Sequence, residues 1–248
     1  MKKFKLLLCC IVLFATCQNV FPSPFSEDLD SKWIKDVFKN DTPSPTIIVA
    51  HGCDGAKNLH YYFWAKQIRD WGYNSVLIDL FTARGFSNLC HNWSAITAKE
   101  RISSISEVVA KIKSSKFHNG KIGLIGYSQG GTLALNIANA TEETGIDAVV
   151  GYYPGCPDSQ KSYYERFLNP KIPMAIMMGE SDDWTPLAPC LETNKNSNYE
   201  MHIYPNSSHA FDMKEKDRVY FGHHLWYNHD ADVDSRKQTK EFFDKYLH

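Results

Sequence analysis

The sequence predicts an α/β fold with a mostly parallel central sheet and helices on both faces. Short apolar segments rich in β-branched residues alternate with longer segments whose apolar residues recur at helical intervals. Two of the short segments, residues 122–125 and 174–178, are almost continuously apolar, which is typical of strands covered on both faces. Strands that alternate with helices imply crossover connections, and such connections produce parallel pairing.

The individual elements follow from these patterns in chain order. Six strands are predicted, over residues 46–50, 74–80, 121–126, 148–152, 173–178 and 199–204. Four helices are predicted, over residues 59–71, 98–113, 129–140 and 234–247. Ligands of such sheets bind beyond the carboxyl ends of the strands, so polar residues that follow the strands are the candidate site.

Length and composition fit one globular domain. The chain has 248 residues, of which 43% are hydrophobic and 22% charged, and its formal net charge is −1. The sequence lacks the basic excess that favours nucleic acid and the cysteine and histidine spacing of a zinc site. We therefore expect no nucleic-acid partner, no metal and no organic cofactor, while the sequence leaves the oligomeric state open.

The N-terminus has the pattern of a secretory signal peptide, which we assign to residues 1–20. A lysine-rich start precedes an apolar run over residues 6–15, and small and polar residues follow that run. The run is short for a transmembrane helix, and an uncleaved anchor or lipoprotein-type cleavage before Cys17 are the alternatives. We expect an exported protein, periplasmic or secreted, without a stable membrane span after cleavage.

The region between the signal peptide and the first predicted strand is rich in proline. Residues 21–45 contain four prolines and are predicted to form an extended segment, with a short hairpin or helical turn near residues 33–38. The α/β domain is then expected over residues 46–248.

A candidate nucleophile, Ser128, lies between a predicted strand and a predicted helix. Residues 126–130 read Gly-Tyr-Ser-Gln-Gly and match the G-x-S-x-G motif. In the α/β-hydrolase fold this motif forms a sharp turn that exposes the serine hydroxyl at the N-terminus of a helix, where developing negative charge is stabilised. The glycines remove side chains that would collide with neighbouring backbone. The alternative is a chance Gly-Ser-Gly turn before a helix.

Candidates for the acid and the base follow the last two predicted strands. In this fold the chain order is serine, then acid, then histidine. Asp182 and Asp183 follow residues 173–178, and we favour Asp182 because it comes first after the strand, although Asp183 stays open. His209 lies beyond residues 199–204 and is the expected base, whereas the adjacent pair His223-His224 is interpreted as structural.

Two backbone N–H groups are expected to stabilise an oxyanion. One belongs to Cys53, in the loop after the first predicted strand, and the other to Gln129, directly after the nucleophile. A reactive Cys53 thiol is the rival interpretation. Nearby aromatic residues either line a substrate pocket or pack in the core, and they are Tyr61, Tyr62, Phe86, Trp93, Tyr127 and Trp184.

Four cysteines lie outside the predicted signal peptide. They are Cys53, Cys90, Cys156 and Cys190. Four cysteines in an exported domain favour two disulfides, for which three pairings are possible. We expect Cys53–Cys90 and Cys156–Cys190, because the predicted fold brings the loops of each pair to the same edge of the sheet.

Together these segments resemble the dienelactone hydrolase family over roughly residues 30–247. The matching segments are residues 51–55, 79–85, 126–131, 179–186 and 204–209. The resemblance implies an α/β-hydrolase fold, hydrolysis of a small carboxylic ester or lactone, and triad positions at Ser128, Asp182 and His209. The founding enzymes of the family use a cysteine nucleophile, and this chain has serine there. The alternatives are an acyltransferase or peptidase with the same triad, or a non-catalytic exported binding protein.

Overall fold

The computed structural model describes residues 29–161, 167–195, 197, 199–215 and 217–248. The predicted signal peptide, residues 1–20, lies outside the described residues. The strands are β1 (Ile34–Phe38), β2 (Ser44–Ala50), β3 (Asn74–Ile78), β4 (His118–Tyr127), β5 (Ala148–Tyr152), β6 (Met174–Gly179), β7 (Glu200–Tyr204), β8 (Arg218–Tyr220) and β9 (His223–Leu225). The helices are α1 (Leu59–Asp70), α2 (Ala98–Lys113), α3 (Gln129–Ala138), α4 (Leu187–Asn194) and α5 (His229–Leu247).

Seven of the strands form one sheet, in the order β1-β3-β2-β4-β5-β6-β7. β1 pairs antiparallel with β3, and every other pair in this sheet is parallel. The predicted α/β class with a mostly parallel sheet is therefore confirmed, and all six predicted strands belong to this sheet. The carboxyl ends of β2, β4, β6 and β7 meet at the same edge.

Helices cover both faces of the sheet. A β-carbon placed on Gly123 of β4 would lie 2.8 Å from Phe243 of α5, whereas one placed on Gly151 of β5 would face Gly131 of α3. Gly123 lies opposite Ala148, three residues before Gly151. Because side chains alternate along a strand, residues three apart point to opposite faces, so α5 and α3 pack on opposite sides.

Three short elements of the fold differ from the prediction. Residues 34–38, assigned there to an extended entry segment with a hairpin or helical turn, form the antiparallel edge strand β1. The short helix α4 and the hairpin of β8 and β9 follow the last strands of the sheet. All three are short, so each carries too few periods of hydrophobic repetition to be recognised from its sequence.

α5 begins five residues earlier than predicted, at His229 rather than residue 234. The side chain of Asn228 accepts a hydrogen bond from the N–H of Ala231 and caps the helix. The first turn is polar, so the hydrophobic repeat begins only after the helix has started.

Two disulfides join segments that follow the strands at the carboxyl edge of the sheet. Cys53 pairs with Cys90, and Cys156 pairs with Cys190, with Cα–Cα distances of 4.8 Å and 5.1 Å. This is the pairing expected from the sequence. Within the described part of the chain, no helix combines the length and the apolar character needed to cross a bilayer.

Candidate active site

Ser128 lies at the turn between β4 and α3 in a rare backbone conformation. Its φ is 52° and its ψ is −113°, outside the regions that a residue with a β-carbon normally occupies. The N–H of Ser128 donates to the carbonyl of Tyr152 at 2.9 Å, and the carbonyl of Ser128 accepts from the N–H of Thr132 at 2.9 Å. The surrounding structure therefore holds the serine in a strained conformation, a frequent property of reactive residues.

The two motif glycines allow this turn to exist. A β-carbon on Gly126 would lie 2.0 Å from the carbonyl oxygen of Gly130, and one on Gly130 would lie 2.4 Å from the carbonyl oxygen of Ala50. These neighbours are backbone atoms that cannot move aside without displacing β2 or α3. Only glycine fits at both positions, as the motif predicts.

His209 joins the serine to an aspartate. Its Nε2 lies 2.9 Å from the Oγ of Ser128, and its Nδ1 lies 2.8 Å from an Oδ of Asp182. His209 is only 3% exposed, in the loop that follows β7. The structure thus brings the three residues expected from the sequence into one line of hydrogen bonds.

Asp182 is held rigidly by its own loop after β6. One carboxylate oxygen accepts the backbone N–H groups of Trp184 and Thr185, at 2.9 Å and 2.8 Å. The other oxygen faces His209. Asp183 points elsewhere, since its carboxylate lies 3.3 Å from Nδ1 of His223 and its side chain is 52% exposed. Of the two aspartates, the structure therefore places Asp182 against the imidazole.

Thr185 lies beside both Asp182 and His209, and it was not predicted from the sequence. Its hydroxyl lies 2.8 Å from Asp182, 3.1 Å from Nδ1 of His209 and 3.1 Å from the carbonyl of Tyr153. The spacing Asp-x-x-Thr favours a local turn closed by side-chain hydrogen bonds, and that spacing is a signal that the sequence does offer. The hydroxyl fixes the position of the carboxylate relative to the imidazole.

The loop after β2 approaches the serine from the other side. A β-carbon on Gly52 would lie 3.4 Å from Cβ of Ser128. The N–H of Gly52 donates to the hydroxyl of Tyr61 at 2.9 Å, and that hydroxyl donates to Asp54 at 2.5 Å. Burial, followed by the charge of Asp54, raises the pKa of Tyr61 well above its usual range, so the hydroxyl keeps its proton.

Two further contacts fix this loop. Nδ1 of His51 lies 2.7 Å from the carbonyl of Gly52, and Nε2 of His51 accepts the N–H of Leu80 at 3.1 Å. Burial lowers the pKa of His51, so a neutral imidazole with its proton on Nδ1 satisfies both contacts. The Cys53–Cys90 disulfide ties the loop to the segment after β3. The disulfide also occupies the sulfur of Cys53, which removes the reactive thiol of the rival interpretation.

A buried polar cluster lies behind His209. The ring of Tyr153 lies 4.7 Å from the imidazole of His209, and its hydroxyl donates to Asp212 at 2.9 Å. The other oxygen of Asp212 accepts Nε1 of Trp64 at 2.8 Å and lies 3.1 Å from Nε2 of His60. Burial acts to raise the pKa of Asp212, but the nearby side chains of His60, Arg236 and Trp64 together outweigh it and hold that pKa below its usual value.

The six aromatic residues singled out in the sequence separate into different environments. Tyr61 and Tyr127 are buried in the core. Tyr62 packs on Phe38 of the edge strand, with ring centroids 4.9 Å apart, and Phe86 is partly buried against the core. The remaining two are tryptophans with contacts to His209 and Gln129.

Trp184 and Trp93 contact neighbours of Ser128. The ring of Trp184 lies 5.1 Å from that of His209. Trp93 is 71% exposed, and its carbonyl accepts the side-chain amide of Gln129 at 2.7 Å. His223 stacks on Trp184 at 4.7 Å, whereas the side chain of His224 contacts Asp217 and Trp226. Among the described residues, no group of three or more His, Cys, Asp and Glu side chains is placed to hold a metal ion.

A parallel sheet between two helical layers, with the candidate serine at a β4–α3 turn, defines an α/β hydrolase. Solved structures of that fold agree. One is a dienelactone hydrolase from Anabaena variabilis, with a TM-score of 0.65 and 20% identity, covering 86% of this chain and 91% of that one. Another was described as a putative dienelactone hydrolase from Klebsiella pneumoniae, with a TM-score of 0.68 and 16% identity, covering 84% of this chain and 89% of that one.

Sequence comparison defines the group within this fold. The sequence pattern of the dienelactone hydrolase family matches residues 36–247, and the chain belongs to that family. A carboxymethylenebutenolidase from Pseudomonas putida is 25% identical over 186 residues, which cover 68% of this chain and 75% of the relative. The chain is therefore a hydrolase that acts on ester or lactone bonds of small molecules.

Proposed function

We propose that this hydrolase cleaves small carboxylic esters or lactones with Ser128 as nucleophile, His209 as general base and Asp182 as the acid that orients it. The observation that carries the proposal is the position of His209, with one nitrogen 2.9 Å from the serine and the other 2.8 Å from the aspartate. This arrangement is the one that serine nucleophiles require for activation.

The first half of the reaction acylates the serine. Nε2 of His209 takes the proton of Ser128 while Oγ attacks the ester carbonyl, and a tetrahedral oxyanion forms. Asp182 accepts the Nδ1–H of His209, which keeps Nε2 free to take the proton and stabilises the imidazolium that results. The C–O bond of the leaving alcohol then breaks, and His209 returns the proton to the alcohol oxygen.

The second half repeats these steps with water. His209 takes a proton from water while the water oxygen attacks the acyl-serine; as the oxyanion collapses, the acyl C–O bond breaks and His209 returns the proton to Oγ of Ser128, which releases the acid. The N–H groups of Cys53 and Gln129 are the proposed oxyanion donors in both halves. Each such donor lowers the activation barrier by on the order of 3 kcal/mol in comparable sites. The contacts of Gly52 and His51 hold the Cys53 loop against Ser128 and so support this assignment.

Export remains part of the proposal. Two disulfides in one small domain favour an oxidising compartment, and the N-terminal sequence favours secretion. We therefore place the enzyme in the periplasm or outside the cell. The free thiol content of protein isolated without reductant tests this, because the four cysteines of the domain should contribute no reactive thiol.

The decisive experiment is the intact mass of the purified protein before and after a serine-directed fluorophosphonate. We expect one adduct on the wild type and none on Ser128→Ala. The control is Ser114→Ala, an exposed serine at the C-terminal end of α2, which should be labelled like the wild type. Absence of an adduct on folded wild type, or an adduct that survives in Ser128→Ala, would contradict the proposed nucleophile.

A further inference from the structure

Aromatic rings border the approach to Ser128 on the side of His209, and the proposed reaction steps do not use them. Trp184 lies 5.1 Å from the ring of His209. Beyond it lie Tyr220 and Phe221, whose ring centroids are 5.9 Å and 6.1 Å from that of Trp184. Both belong to the hairpin of β8 and β9, which is separate from the central sheet.

Phe221 has a backbone conformation that bulky residues avoid. The residues Phe221 and Gly222 form the two-residue turn between β8 and β9, with φ angles of 50° and 86°. Two positive φ angles are typical of a type I′ turn, whose first position favours asparagine, aspartate or glycine. A phenylalanine at this position has a strained backbone, and strained residues cluster at functional sites.

The ring of Phe221 is only partly buried, because the residue is 37% exposed. It is nevertheless held in place by other rings. Its edge-to-face partners are His91 at 4.1 Å and Tyr220 at 4.4 Å. The ring is thus fixed at the surface, where one part stays available to a ligand.

Phe221 spans the two halves of the candidate site. On one side it reaches Trp184 and, through that ring, His209. On the other side it reaches His91, which directly follows the disulfide-bonded Cys90 and so adjoins the Cys53 loop. Phe221 therefore lies between the surroundings of the proposed base and those of the Cys53 loop.

We propose that Phe221 and Trp184 form a subsite for a planar aromatic group in the alcohol part of the ester, as in a benzyl ester. This inference rests on the proposed function. His209 must deliver its proton to the leaving oxygen as the ester C–O bond breaks, so the departing alcohol lies on the side of His209 and Trp184. An aromatic alcohol there contacts rings that prefer stacked or edge-to-face partners.

The test compares kcat/KM for three acetate esters. Benzyl acetate carries the planar ring, cyclohexylmethyl acetate carries a saturated ring of similar size, and ethyl acetate carries none. We expect the wild type to prefer benzyl over cyclohexylmethyl acetate. In Phe221→Asn that preference falls by about twofold to tenfold, the range that a ring contact gives, while ethyl acetate is hydrolysed as in the wild type.

Asparagine at this position also separates a binding role from a structural one. Asn-Gly is the favoured sequence of a type I′ turn, so Phe221→Asn should raise Tm while it lowers the preference for the aromatic ester. A purely structural phenylalanine would give a lower Tm and an equal loss on all three esters. The matched control is Val219→Thr, in the same hairpin and 70% exposed, which should leave the preference unchanged.

Two results would overturn the inference. One is the same ratio of benzyl to cyclohexylmethyl acetate turnover in the wild type and in Phe221→Asn. The other is an unchanged ratio for these esters with a changed ratio of methyl benzoate to methyl cyclohexanecarboxylate, which would place the aromatic group in the acyl part. Failure of the proposed function is distinct, because it would abolish ethyl acetate hydrolysis and fluorophosphonate labelling in the wild type as well.

Discussion

Replacing Asp182 by asparagine changes one atom of the candidate site and should almost abolish turnover. The N–H groups of Trp184 and Thr185 both point at one oxygen of Asp182, at 2.9 Å and 2.8 Å. In Asp182→Asn the amide oxygen keeps that position, because an NH₂ group cannot accept these two hydrogen bonds. The NH₂ group must then face Nδ1 of His209, where the carboxylate oxygen lies 2.8 Å away in the wild type.

This orientation reverses the tautomer of His209. Nδ1 becomes an acceptor, so the proton of the neutral ring moves to Nε2, the nitrogen that faces Ser128. A protonated Nε2 cannot take the serine proton. The comparable substitution in serine proteases lowers kcat by about 10⁴-fold, which corresponds to roughly 5 kcal/mol of barrier. We expect a loss of that order, with the protein folded as before.

The assay is kcat for an activated ester, with Asp183→Asn as the matched control. Asp183 is half-exposed and contacts His223 instead of His209, so its substitution should change kcat by less than about threefold. Thr185→Val should give an intermediate loss, because it removes a hydroxyl beside the carboxylate but leaves the Asp182–His209 contact. If Asp182→Asn retained more than about a tenth of the wild-type kcat, or if Asp183→Asn lost as much, the assignment of the acid would be wrong.

Three further predictions concern stability. The pKa of Asp212 is held below its usual value in the folded protein, so its carboxylate stabilises the fold at pH values above the pKa of the unfolded chain, and this stabilisation is lost as pH falls through the pKa of the folded protein. Asp212→Ala should lower the free energy of unfolding by about 3–5 kcal/mol at neutral pH and make stability less dependent on pH in the acid range. The surface variant Asp70→Ala should lower it by under about 1 kcal/mol. Gly126→Ala places a β-carbon 2.0 Å from a backbone oxygen and should prevent recovery of folded protein, while Gly85→Ala, with open space around its β-carbon but a φ of 80°, should cost only about 1–2 kcal/mol in urea unfolding. Removal of the Cys156–Cys190 bridge, which spans 34 positions, should lower the free energy of unfolding by about 4 kcal/mol at most, and an unchanged denaturation midpoint would contradict a formed disulfide.

The sequence by itself determined the fold class and the candidate residues of the site. The inner strands of the parallel sheet contain short, largely apolar segments, and such segments are recognisable because burial on both faces favours apolar residues. Ser128 was identifiable because Gly126 and Gly130 are required by close backbone approach, a constraint that leaves a fixed spacing in the sequence. The order of serine, acid and base followed from the same topology.

Only the tertiary structure decided which of two adjacent aspartates faces the imidazole. Asp182 and Asp183 have the same chemistry, and the turn that sends one inward depends on hydrogen bonds from Trp184 and Thr185. The buried position of Asp212 was also decided by the tertiary structure, since its hydrogen-bond partner Trp64 lies 148 positions away along the chain. The position of Phe221 beside Trp184 likewise depends on its contact with His91, a packing relation that local sequence does not encode. Interactions between distant segments leave no periodic signal, so they become visible only when the chain has folded.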